Sequence, residues 1–213
     1  MHIDKNVINS FSLKIFMFSL QKTFSKAKKY GLKLPRQKIV EKETEAKKFA
    51  KSLGYPVVIK IASSGHKTES GGVFTGVRKE DFVSKFRKLK KKSGSILIQE
   101  QIDGVEAIAG GISDKQFGPC VSFGTGGIFV EIMKDVNFRV CPIRKGDAKE
   151  LVKESLLYQI LKGSRGKKYD LKSVEKTLMS VSEIMVREDL NEMDINPLIC
   201  NEKGAWAVDV RMG

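Results

Sequence analysis

His66 is one of only two histidines in 213 residues, and it stands in the glycine- and serine-rich stretch SSGHKTESGG directly after the apolar run YPVVIKI. An imidazole nitrogen is a nucleophile near neutral pH that can take up and give back a phosphoryl group. Cores do not usually need such a loop, which makes it the first candidate for chemistry. Within the preceding run, Lys60 puts an ammonium on an otherwise apolar strand. A lone charge there is costly unless it meets an anion, and a phosphate answers that need. A stem lying along the sheet with its head in solvent accounts for the same pattern. At the other end of the chain, EMDINPL and WAVDV place Asn196 and Asp209 at one edge if the two strands pair across the turn between them. Two such oxygens suit magnesium, which keeps waters and substrate phosphates at its other positions. Asp194 alternates with Asn196 and so shares its face. Acids on a surface turn are the plainer alternative.

The elements that must hold these residues alternate in type. QKIV reads as a strand, EKETEAKKFAKSLG as a helix ending at Gly54, and YPVVIKI as the strand carrying Lys60. After the histidine loop come the strand GVFTGV and the helix KEDFVSKFRKLKKKSG, apolar at Phe82, Val83, Phe86 and Leu89. SILIQEQI and VEAIAGGISD are expected to pair around Asp103 and Gly104, and PCVSFGTGGIFVEIM is a strand, a glycine turn and a further apolar run. Helices are predicted over 147–162 and 171–187, and MDINPLICNEKGAWAVDV ends as two strands joined across Asn201 to Gly204. This order predicts an α/β (α+β) fold with two lobes, 23–95 and 96–213, behind a helical segment over 1–22. A cleft between the lobes lets glycine turns approach a phosphate-bearing ligand. GTGG at 124–127 is neither a dinucleotide turn nor a P-loop, and a tight turn explains its glycines equally well.

Composition narrows the partners. Lys and Arg number 39 against 25 Asp and Glu, a net charge of +14 that favours polyanions, nucleotides and coenzymes as well as nucleic acid. The lysine runs SKAKKYG, SKFRKLKKKSG and KGSRGKK lack the aromatic interleaving of a single-strand groove and read as solvated faces, so no nucleic-acid partner is expected. Cys120, Cys141 and Cys200 are far apart with no CxxC pair, which fits small buried hydrophobes in a reducing, cytoplasmic setting. In residues 1–22 Lys14 interrupts an apolar run that falls well below the roughly 20 residues a spanning helix needs. An amphipathic helix, and no membrane span, is expected there.

Several stretches in order carry a resemblance: GYPVVIKI, HK followed by GGV, GVEAIAGGISDKQFGP, FGTGGIFVEIMKDVNFRVCPI, ILKGSRG, and DINPL followed by VDVR. From about residue 27 to residue 211 the chain is similar to the beta subunit of the ADP-forming acetyl-CoA and acyl-CoA synthetases, an ATP-grasp protein related to the succinyl-CoA synthetase beta subunit. The resemblance implies an ATP-grasp fold, Mg2+ with ADP or ATP, and reversible conversion of acyl-CoA, ADP and phosphate into free acid, CoA and ATP. By the same resemblance, His66 would relay a phosphoryl group to ADP and Lys60 would contact the nucleotide phosphates, with Gly71 and Gly72 letting the loop come close. Glu100 and Ile102 would hold adenine and ribose at the interlobe hinge, with Glu106 facing the same cleft. Asn196 and Asp209 match the magnesium ligands, Arg139 would neutralise a phosphate, and Glu131 would be a site carboxylate near the arriving phosphohistidine. Nothing in the chain resembles a CoA-binding fold. An alpha subunit carrying that domain and the primary phosphorylated histidine is therefore implied, in an assembly of two alpha and two beta chains. A stand-alone ATP-grasp carboxylate ligase and a basic nucleic-acid-binding protein are the alternatives.

Overall fold

The computed structural model describes residues 18–62, 71–126, 135–163 and 168–213. Helix α1 (Leu20–Lys29) starts where the Ser19 hydroxyl accepts the Lys22 N–H, and its last turn carries Lys26, Lys28 and Lys29, which suit the negative end of the helix dipole. A small lobe follows, built from β1 (Gln37–Val40), α2 (Glu43–Leu53), β2 (Val57–Ile61), β3 (Val73–Val77), α3 (Phe82–Lys90) and β4 (Ile96–Glu100). Its strands run antiparallel in the order β1-β4-β2-β3. The apolar stripes of the two helices, Ala46 and Ala50 on α2 and Phe82, Phe86 and Leu89 on α3, share one core with Ile59, Ile96 and Ile98.

The chain crosses at 101–104 into the larger lobe. There it forms β5 (Val105–Asp114), β6 (Gly118–Thr125), β7 (Val136–Val140), α4 (Lys145–Glu154), α5 (Tyr158–Leu161), α6 (Leu171–Arg187), β8 (Glu192–Asn201), β9 (Gly204–Ala207) and β10 (Val210–Met212). These strands make one antiparallel sheet ordered β10-β8-β5-β6-β7, with β9 also on β8. Val174, Leu178, Val181 and Ile184 of α6 form its core with Ala107, Ala109, Val121, Phe123 and Ile195. Ala27 of α1 belongs to this larger core. The Phe18 N–H donates to the Met212 carbonyl at 2.8 Å, so α1 docks on the lobe at the far end of the chain. Glu188, just after α6, accepts from Lys26, from Lys29 at 3.2 Å and from the Tyr30 hydroxyl at 2.7 Å.

Helix α1 straddles the expected boundary between a helical segment 1–22 and a lobe from 23 and packs in the larger lobe's core, with residues 1–17 outside the described ones, and the last of the two strands expected in MDINPLICNEKGAWAVDV is split into β9 and β10. Two further elements depart from the sequence expectation. SILIQEQI and VEAIAGGISD do not pair: β4 lies between β1 and β2, and β5 between β6 and β8. Four consecutive buried residues, Ile96 to Gln99, mark β4 as a strand covered on both faces rather than one arm of a hairpin. The helix expected over 147–162 is two. Ser155 is extended, ψ 141°, because its hydroxyl and the Leu156 N–H donate to the Asp135 carboxylate at 2.7 and 3.0 Å instead of continuing the helix. Cys120, Cys141 and Cys200 are buried and free. Among the described residues, no helix is long and apolar enough to cross a membrane.

Candidate functional site

Residues paired across antiparallel strands share a face, and neighbours along a strand face oppositely. On the small sheet Ile59 pairs with Ile98, and both lie in the core with α2 and α3. Lys60, paired with Leu97, and Gln99, two residues on from Leu97, therefore face the other way. That face meets the larger lobe. Lys60 Nζ donates to the Val208 carbonyl at 2.8 Å, and Gln99 Nε2 donates to the same oxygen at 3.0 Å as well as to Gln37 Oε1. Lys60 is 4% exposed and Gln99 2%, so both polar heads are buried where the lobes touch.

Val208 immediately precedes Asp209. On either side of them Ala207 pairs with Leu198 and Val210 with Ile195, four residues that are all buried. Between these pairs both strands turn two successive residues out of the core, Asn196 and Pro197 on one and Val208 and Asp209 on the other. The Asn196 N–H donates to the Asp209 carbonyl at 3.1 Å, so the two residues stand opposite each other. Asp194, two residues along β8, pairs with Arg211. The structure thus brings Lys60, Asp194, Asn196 and Asp209 to one place. Arg211 joins them and was missed by the sequence reading, although its alternation with Asp209 in VDVR was the available signal. Among the described residues no three His, Cys, Asp or Glu side chains form a metal cage. One amide and one carboxylate fit a hard cation that draws its remaining ligands from water and phosphate oxygens.

Arg139 lies elsewhere. It pairs with Val121, whose side chain is in the core beneath the helices, and it forms an ion pair with Glu154 of α4. Asn196 and Asp209 are on the opposite face, and β7 is four strands from β10. At about 4.8 Å per strand that is roughly 19 Å along the sheet. The Glu100 carboxylate is on the helical face of β4 and accepts from the Arg36 backbone N–H at 3.1 Å and from Arg36 Nε at 3.3 Å. Ile102 is half-buried in the crossing segment, and exposed Glu106, next to buried Ala107, is on the non-helical face. Gly71 and Gly72 lead into β3: the Gly72 carbonyl accepts the Ile61 N–H at 2.9 Å, and Gly71 has φ +61°, a conformation that favours glycine. His66 and Glu131 lie outside the described residues.

The GTGG stretch is explained at its described positions by close backbone approach. A Cβ on Gly124 would sit 1.9 Å from the Asp135 carbonyl oxygen, and one on Gly126 2.7 Å from the Ala107 carbonyl carbon. Asp135 is buried, and its Oδ2 accepts from the Thr125 hydroxyl, the Ser155 hydroxyl and the Leu156 N–H. Burial pushes this carboxyl up, but the hydrogen bonds outweigh that and hold it below the ordinary carboxylate range.

The two-lobed fold is that of the proteins to which the chain is similar. The ATP-grasp domain family matches residues 20–213. Acetate–CoA ligase (ADP-forming) I subunit beta of Pyrococcus furiosus is 40% identical over 200 residues, covering 87% of this chain and 86% of that protein. Acetate–CoA ligase (ADP-forming) II of Archaeoglobus fulgidus is also 40% identical, over 190 residues and 86% of this chain, but the match spans only 28% of that longer protein. The dinucleotide forming acetyl-coenzyme A synthetase 1 of Ca. Korarchaeum cryptofilum, in complex with coenzyme A, Ca-AMPCP and HgCl+, superposes with a TM-score of 0.84 at 34% identity, covering 92% of both chains. Its complex with coenzyme A and Mg-AMPPCP, with the phosphohistidine segment pointing towards the nucleotide binding site, gives 0.79 at 35% identity, again over 92% of both. The chain belongs to the ATP-grasp family, within the branch of ADP-forming acetate–CoA ligase beta subunits.

Proposed function

We propose that this chain is the nucleotide-binding beta subunit of an ADP-forming acyl-CoA synthetase. In this reading it passes a phosphoryl group between a phosphohistidine and ADP, in the reaction acyl-CoA + ADP + phosphate = carboxylic acid + CoA + ATP. The observation that carries the reading is the convergence of buried Lys60 from one lobe with Asn196 and Asp209 from the other. Asn196 and Asp209 hold Mg2+, whose charge offsets repulsion between the nucleotide and the incoming phosphoryl group. The Lys60 ammonium takes a phosphate oxygen. Arg211, two residues after Asp209, supplies a second positive charge in place of Arg139. Residues 101–106, with Ile102 and Glu106, flank the base and ribose, while Glu100, which was expected to join them, is turned to Arg36 and fixes the start of that segment; Gly71 and Gly72 admit the phosphates to the backbone. His66 accepts the phosphoryl group on an imidazole nitrogen; the N–P bond breaks as the ADP oxygen bonds to phosphorus. An alpha subunit with the CoA-binding domain and the primary phosphorylated histidine completes a heterotetramer of two alpha and two beta chains in the cytoplasm.

The test is transfer of labelled phosphate from Mg·ATP to the purified chain, alone and with its alpha subunit. Acid-labile, base-stable label is expected on wild type, none on His66→Ala, and much less on Asp209→Ala. If ATP binds and no phosphohistidine forms even with the partner, the relay is wrong. Acyl phosphate made by the chain alone would instead favour a stand-alone ligase.

A further inference from the structure

Gln99 has no role in the reading above, yet its amide is among the most buried polar groups of the small lobe, 2% exposed. Its NH2 group has two hydrogens, and both are placed: one on Gln37 Oε1, the other on the Val208 carbonyl at 3.0 Å. Gln37 contributes an acceptor at some expense, because its own Nε2 is buried without a hydrogen-bond partner. The Val208 oxygen uses its two lone pairs for Gln99 and Lys60, 2.8 Å away. Lys60 and Gln99 are anchored on neighbouring strands of one rigid sheet, and they seize the backbone one residue before Asp209 from the same side. Asp209 in turn is tied through its carbonyl to the Asn196 N–H. A single carbonyl therefore sets where the amino-terminal lobe's ammonium stands relative to the carboxylate and amide of the other lobe.

The geometry points to Gln99 as a positioning residue for the cation and phosphate site, oriented by Gln37 and acting through the Val208 carbonyl on the spacing of Lys60 from Asp209. This rests on the proposed nucleotide function. Gln99 touches neither cation nor phosphate. Its loss lets the 208–209 segment shift and weakens the coupling between metal and nucleotide, while contacts made at the 101–106 hinge persist.

The experiment is calorimetric ADP binding to the full chain with magnesium and with EDTA. For Gln99→Met, the affinity in EDTA stays within about twofold of wild type, and the gain in affinity on adding magnesium falls roughly 5- to 10-fold, the scale of one buried hydrogen bond. Gln37→Met, which removes only the orienting acceptor, lowers the gain about twofold and decides the matter if Gln99→Met does not fold. A residue that merely glued the lobes together would lower the unfolding temperature without changing the magnesium-dependent gain. An unchanged gain in folded variants overturns the proposal. A wild-type chain with no magnesium-dependent gain overturns the nucleotide reading itself, a result distinguished by needing no variant.

Discussion

Replacing Asp135 by alanine removes the one carboxylate oxygen on which the Thr125 hydroxyl, the Ser155 hydroxyl and the Leu156 N–H converge. A hydrogen bond to a charged acceptor contributes about 1.5–3 kcal/mol. Leu156 is 54% exposed, so its N–H can turn to water, whereas Ser155 is 2% exposed and has no such recourse. Counting only the two hydroxyls at the lower figure, Asp135→Ala is expected to lower the unfolding free energy by about 3 kcal/mol. Asp135→Asn keeps an acceptor in place without the charge and should cost about 1 kcal/mol. Urea denaturation near neutral pH measures both. The pH dependence supplies a second check. The folded-state carboxyl lies below its ordinary value, so its contribution is complete above the unfolded pKa of about 3.9 and is lost as pH falls through the folded value. Wild type and Asp135→Asn should therefore converge in stability on the acid side. A loss under about 1 kcal/mol for Asp135→Ala, or a wild-type advantage over Asp135→Asn that persists into strong acid, would refute the reasoning.

Arg211→Ala should weaken Mg·ADP binding about tenfold, while Arg139→Ala, which breaks the part-exposed pair with Glu154 and the bond to the Phe138 carbonyl, should leave binding within about twofold. Calorimetry on the two variants checks this, and the opposite ranking would mean that the wrong face of the sheet was assigned to the site. Lys26 first, and then Tyr30, hold the Glu188 carboxyl down to about 2. The docking of α1 that it supports is complete above the ordinary carboxylate value and fades as pH falls towards that figure. Hydrogen-exchange protection factors across Leu20–Lys29, each taken relative to the intrinsic amide rate at that pH, should fall in acid for wild type and already be low at neutral pH for Glu188→Gln; equal protection of wild type and variant at neutral pH counts against the latch.

What could be read from the chain beforehand follows from how local each feature is. Helix α6 keeps the predicted limits 171–187, since its apolar stripe and the Asp170 side chain that accepts the Ser173 N–H are written within one window. The opposition of Asn196 and Asp209 was accessible because a short hairpin turn at 201–204 sets their register. Lys60 stood out as a charge in an apolar run. By contrast, the separation of β4 from β5 depends on partners distant in sequence. The break at Ser155 depends on a carboxylate 20 residues earlier. The face of Arg139 follows only from its pairing with Val121 and the order of five strands. Gln99 looked like an ordinary polar residue in a strand, because its acceptor, the Val208 carbonyl, is 109 residues away and leaves no mark on side-chain identity.

The docking of α1 has a consequence for how the polypeptide is made. This helix leaves the ribosome well before its partners, since the Glu188 carboxylate lies 162 residues beyond Lys26 and the Met212 carbonyl further on still. The four strands and two helices of the small lobe emerge between them and can complete their own core first. Until β10 is released, the nascent chain therefore holds an amphipathic helix without its native partners, at translation rates of about 5–20 residues per second for roughly 10–40 seconds. During that interval the exposed lysines of α1, Lys22, Lys28 and Lys29, keep an orphaned apolar stripe in solution until its native seat is built.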